Sequence, residues 1–89
     1  MSIVVRYTPV GATPEQYDAV NEALGDEWPP EGVDYHVCFL SEGNVLVSEI
    51  WDSREQWQAW GARLLPLLAS LGIDPGEPQV FEVHNIMKR

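Results

Sequence analysis

Val33-Asp34-Tyr35-His36-Val37-Cys38-Phe39-Leu40, then Ser41-Glu42-Gly43-Asn44, then Val45-Leu46-Val47-Ser48-Glu49-Ile50-Trp51 reads as two β-strands joined by a turn. Both arms are rich in β-branched and aromatic residues, and the joining tetrapeptide is polar and contains glycine, as hairpin turns do. Whether the loop is Glu42-Gly43 or all four residues, the register is the same. His36 faces Glu49, Cys38 faces Val47, Leu40 faces Val45 and Asp34 faces Trp51. A three-residue loop with a bulge would shift this register and separate His36 from Glu49. Side chains alternate between the faces of a strand, so Tyr35, Val37, Phe39, Leu46, Ser48 and Ile50 share the second face, which is also largely apolar. A chain of 89 residues has helices enough to cover one side of such a sheet. The other side is expected to meet a second copy of the protein.

Outward from the hairpin, Ile3 to Thr8 is β-branched and aromatic and is closed by Pro9 and Gly11, which suits a first strand. Thr13, Pro14 and Gln16 supply an N-cap, a first helical residue and a capping-box partner. Tyr17, Val20 and Leu24 then recur at helical spacing, and Gly25 is placed to end the helix. Asp26 to Gly32, with two prolines, cannot continue it. Trp28 within that loop is a plug over the core or a lid over a pocket. A second helix opens at Ser53, with Gln56 as capping-box partner, and carries the apolar stripe Trp57, Trp60, Gly61, Leu64, Leu67, Leu68 and Leu71. Pro66 is expected to kink it or split it in two. Gly72 ends it, Asp74-Pro75-Gly76 turns, and Gln79 to Ile86 alternates as a last strand. The order is βαββαβ, the α+β ferredoxin-like motif, over one domain spanning residues 1–89. Two right-handed crossovers place both helices on one face of a four-stranded antiparallel sheet.

Fourteen acidic against five basic side chains give a net charge of −9, and two of the cations are Lys88 and Arg89 at the end of the sequence. The internal cations Arg6, Arg54 and Arg63 make no basic patch, so neither nucleic acid nor an anionic membrane is an expected partner. No signal-peptide pattern and no run of about 18–20 apolar residues appears, so a cytoplasmic protein is expected. A single cysteine, Cys38, excludes an internal disulfide and a cysteine-rich metal site.

Glu49-Ile50-Trp51-Asp52-Ser53-Arg54-Glu55-Gln56-Trp57-Gln58-Ala59-Trp60 resembles the dimeric α/β barrel superfamily, in particular its antibiotic-biosynthesis-monooxygenase-like members. In these a third strand ends in an aromatic residue and passes through a serine-capped turn into the second helix. The resemblance implies homodimers joined through the sheets into an α/β barrel, with each pocket between sheet and helices. It implies little about activity, since the fold hosts oxygenases, isomerases, haem enzymes and proteins with no known reaction. The haem-degrading branch has a tryptophan at the position of Trp60, but Ser70 stands where it places its haem-ligating histidine, and its first-strand asparagine has no counterpart in Ile3 to Thr8. The histidines that antibiotic-type members carry along the second helix are absent too. No organic cofactor is expected.

His36 with Glu49 is the best chemical constellation, because a carboxylate orients an imidazole and suits it to act as a base near neutral pH. The alternative is a satisfied cross-strand polar pair, on a face that lines either a pocket or the dimer interface. Trp51 on the same face and Trp60 on the second helix are candidate substrate contacts, as are Tyr7 and Arg6 on the first strand. Glu82 and His84 share a face of the last strand, and an acid there can neutralise Arg6. Two histidines and a few carboxylates lack the tight spacing of a metal site, and none is expected. Cys38, with no activating cation nearby, reads as a small buried hydrophobe. Two functions follow: a homodimeric ligand-binding module with no turnover, or a cofactor-independent monooxygenase or isomerase-like enzyme acting on a small neutral or aromatic metabolite.

Overall fold

The computed structural model describes residues 1–89. The elements are β1 (Ile3–Tyr7), α1 (Pro14–Leu24), a 3-10 turn (Gly25–Glu27), β2 (Val33–Ser41), β3 (Asn44–Trp51), α2 (Arg54–Ser70) and β4 (Gln79–Glu82). They make one antiparallel sheet in the order β2-β3-β1-β4. This is the ferredoxin-like α+β arrangement.

The hairpin closes through the two-residue loop Glu42-Gly43, since Ser41 pairs with Asn44. Both loop residues have positive φ, 52° and 82°, which matches the twist of the flanking strands. His36 therefore sits opposite Glu49, Cys38 opposite Val47 and Leu40 opposite Val45. The expected pairing of Asp34 with Trp51 is replaced by Val33 with Trp51, because a bulge between Val33 and Tyr35 absorbs one residue. Asp34 is the extra residue, and its exposed carboxylate accepts from Lys88 Nζ at 3.0 Å.

Both helices start as their caps dictate. Thr13 Oγ1 accepts from the Gln16 amide at 3.2 Å while Gln16 Oε1 accepts from the Thr13 amide at 3.0 Å, closing the capping box. Ser53 Oγ accepts from the Gln56 amide at 3.2 Å, but the Gln56 side chain receives the Ser53 hydroxyl rather than its amide. That side chain lies against Gly32, whose φ of 97° and missing Cβ leave room for it.

Two expectations about α2 and β4 are corrected. Pro66 lies inside an unbroken helix. Pro66 and Ala62, whose carbonyl it cannot pair with, are both exposed, so water can satisfy the freed group. β4 stops at Glu82 rather than Ile86, with one further bond from the Val83 amide to the Ser2 carbonyl, because β1 offers no residues beyond that point to pair with.

Along β3 the residues Val45, Val47, Glu49 and Trp51 are buried, and the alternate ones are not. The buried row joins Ile3 and Val5 of β1, Val20 and Leu24 of α1 and Trp60 of α2 in the core, so both helices lie on that face. Burying Ile3, Val5 or Leu24 contributes about 1.5–3 kcal/mol each. Yet only 10 of 89 residues are buried, since part of the space between helices and sheet is a cavity. The opposite face carries Val4, Tyr35, Val37, Phe39, Leu46 and Ile50, none of them buried.

Candidate functional site

The cavity has a volume of about 270 Å³. Its apolar wall comes from Val20 and Leu24 of α1, Val45 and Val47 of β3, and Leu64 and Leu68 of α2. Five polar side chains break that wall: Tyr7, Tyr17, Asn21, His36 and Glu49. The His36 and Glu49 face therefore lines a pocket under the helices, not the open back of the sheet.

A continuous hydrogen-bonded chain joins three of them. Glu49 is 3% exposed, which makes a lone carboxylate there costly. Its Oε2 lies 2.7 Å from His36 Nδ1, and its Oε1 accepts from Trp51 Nε1 at 3.0 Å. At its other end the ring meets Tyr17, with Nε2 and the phenol oxygen 2.7 Å apart. A carboxylate at Nδ1 selects the tautomer with the proton there, leaving Nε2 to accept from the Tyr17 hydroxyl. No buried polar side-chain atom is left without a partner. Burial pushes the Tyr17 hydroxyl above its ordinary pKa, so Tyr17 holds its proton unless it passes that proton to His36.

Trp28 closes the site from the loop side. Its ring meets His36 edge-on at 5.0 Å and Trp60 at 6.1 Å, and it lines the cavity while packing on the core. It thus serves as plug and wall at once. The loop is tied to α2 by Arg63, which donates to both Glu27 oxygens at 2.6 and 2.7 Å. That guanidinium holds the Glu27 carboxyl below its ordinary pKa.

Of the residues singled out in the sequence, His36, Glu49, Trp60 and Tyr7 come together around the cavity. Trp51 and Arg6 do not. Trp51 is fully buried at the end of β3, behind Glu49 rather than beside the cavity, and its indole N–H is taken by the carboxylate. Arg6 alternates with Val5 and Tyr7 and so points to the other face, where it is exposed. It pairs in register with Ser48 and Gln79, not with Glu82 or His84. His84 is exposed beyond β4, and no set of three His, Cys, Asp or Glu side chains gathers at metal-binding distance. Burial raises the Cys38 thiol above its ordinary pKa, as in an unreactive cysteine.

Sequence reasoning missed Tyr17 as the partner of His36. The available signal was a phenol on the sheet-facing stripe of α1, since a tyrosine turned inward needs a partner for its hydroxyl. It also missed the bond from Trp57 Nε1 to the Tyr7 oxygen at 2.7 Å, which joins residues 50 positions apart.

No protein-family model matches the sequence, and no curated protein matches it. Solved structures do share its fold. SnoaB, a cofactor-independent oxygenase from Streptomyces nogalater, aligns with a TM-score of 0.64 at 18% identity over 99% of this chain and 96% of that one. A candidate antibiotic biosynthesis monooxygenase from Deinococcus radiodurans gives 0.64 at 13% identity over 100% and 98% of the two chains. Rv0793 from Mycobacterium tuberculosis gives 0.64 at 14% identity over 98% and 97%. Likeness at these identities speaks for the fold alone, and this chain shares the ferredoxin-like α+β fold of these structures.

Proposed function

We propose that the protein binds a small neutral, aromatic ligand in the cavity and takes a proton from it through Tyr17 and His36. The observation that carries this is the chain from Tyr17 through His36 to Glu49, opening on an apolar cavity. Tyr17 Oη accepts the ligand proton as its own proton passes to His36 Nε2, leaving the ligand as an anion and the imidazolium paired with Glu49. An engineered cavity of about 150 Å³ holds benzene, so this one suits a bicyclic ligand. No cation lines it, which disfavours ligands that are already anionic. The SnoaB description as a cofactor-independent oxygenase agrees with a site that works from side chains alone.

The working unit is a homodimer joined through the uncovered sheet face, whose apolar row includes Val37, Phe39, Leu46 and Ile50. Its setting is the cytoplasm, where the lone Cys38 thiol stays reduced.

2-Tetralone, a bicyclic ketone with acidic C–H bonds, tests the reading by exchange of those protons in D₂O, followed by NMR. The wild-type protein is expected to accelerate the exchange, and His36→Gln to lose the acceleration while remaining folded. Binding of tetralone without acceleration would leave a ligand-binding module with no turnover. That second reading draws on the closed state of the network, in which His36 already has both nitrogens satisfied.

A further inference from the structure

The cavity also holds a hydrogen-bond donor that the proton-transfer chain does not use. Tyr7 is the last residue of β1, and strand alternation turns it to the helix side with Ile3 and Val5. Its ring lines the same cavity as His36 and Glu49. The phenol oxygen accepts from Trp57 Nε1 at 2.7 Å, and the structure gives the phenol's own proton no protein acceptor. An N–H donating into a hydroxyl oxygen polarises the O–H and strengthens it as a donor. Burial, together with the nearby charge of Glu49, raises the Tyr7 pKa to about 12 against the pull of Trp57, so the group stays protonated across the neutral range.

We propose that Tyr7 donates a hydrogen bond to an oxygen of the bound ligand, selecting ligands that carry a carbonyl or phenol oxygen on an apolar ring frame. This rests on the cavity being the ligand site, as argued above. With the base on one side and the donor on another, the ligand's oxygen is held where negative charge gathers once its proton has left. The other cavity walls are mainly apolar, so a ring without an oxygen would leave the Tyr7 hydroxyl unpaired.

The test compares 2-naphthol with naphthalene, which share a ring frame and differ by one hydroxyl, titrated by fluorescence. The wild-type protein is expected to prefer 2-naphthol. Tyr7→Phe should lower that preference about 3- to 10-fold, the worth of one hydrogen bond, with naphthalene bound no more weakly than by the wild type. His36→Gln is expected to keep most of the preference. Equal weakening of both compounds by Tyr7→Phe would make Tyr7 an apolar wall and overturn the inference. So would a preference that disappears in His36→Gln but survives in Tyr7→Phe, which leaves the proton-transfer reading standing. Failure of the wild-type protein to bind either compound removes the cavity as a ligand site, and this inference with it.

Discussion

The indole N–H of Trp51 reaches back two residues along β3 to Glu49 Oε1, 3.0 Å away, in the most buried part of the molecule. Trp51 can donate one side-chain hydrogen bond and accept none, so this bond is its whole polar capacity. It holds one carboxylate oxygen in place and leaves the other for His36. Trp51 thus helps to fix the orientation of the Glu49 carboxylate.

Trp51→Phe keeps an aromatic ring and removes that donor. A loss of about 1–3 kcal/mol is expected in urea unfolding, with a further cost from the smaller ring. In a Glu49→Gln background the donor term should shrink, and the double-mutant cycle reads the coupling. Identical losses in both backgrounds would show that the charge of Glu49 adds nothing to this hydrogen bond.

Tyr17→Phe separates a relay from a cap. If the Tyr17 hydroxyl carries the proton, tetralone exchange should slow at least 10²-fold, about the lower bound for a lost acid–base group. If the hydroxyl merely occupies His36 Nε2, removing it frees the base and exchange speeds up. The relay is the expected outcome, because Tyr17 lines the cavity while its hydroxyl occupies His36 Nε2.

Alkaline pH should destabilise the protein through its half-buried phenols Tyr7 and Tyr17. The Tyr7 pKa is raised from 10.0 to about 12 in the folded state, chiefly by burial, and the Tyr17 pKa is raised as well. The unfolded chain therefore loses these protons first. Their contribution is complete below pH 10 and declines as pH rises towards about 12. Urea midpoints measured across that range should fall, and Tyr7→Phe should flatten the fall. A decline as steep in Tyr7→Phe as in the wild type would place its origin elsewhere.

Pro66→Ala should stabilise the protein. The proline sits on the exposed side of an unbroken helix, and alanine restores an amide that can pair with the Ala62 carbonyl. A gain of about 1–3 kcal/mol, seen as a higher Tm, matches the helix-interior cost of proline. An unchanged or lower Tm would mean that the backbone here is already adjusted to the proline ring.

Much of the fold was legible from local chemistry. The Thr13 and Ser53 caps, the Glu42-Gly43 turn and the alternation along Val45 to Trp51 each depend on residues within a few positions of one another, and they determined the βαββαβ order. The opposition of His36 and Glu49 was legible too, because a two-residue turn transmits its register along both strands. The bulge at Asp34 was not. It lies at the far end of the hairpin, where packing of Trp51 and Val33 against the core outweighs strict alternation.

From its sequence alone, this protein's element order, its hairpin register and the pairing of His36 with Glu49 were determined, since each follows from backbone geometry over short distances. Only the tertiary structure decided that Glu49 faces the cavity, that Tyr17 meets His36, that Trp57 meets Tyr7, and that Trp51 stands behind the site rather than in it. Those relations join side chains from different elements. Their geometry depends on how the helices pack across the sheet, which no local pattern of residues specifies.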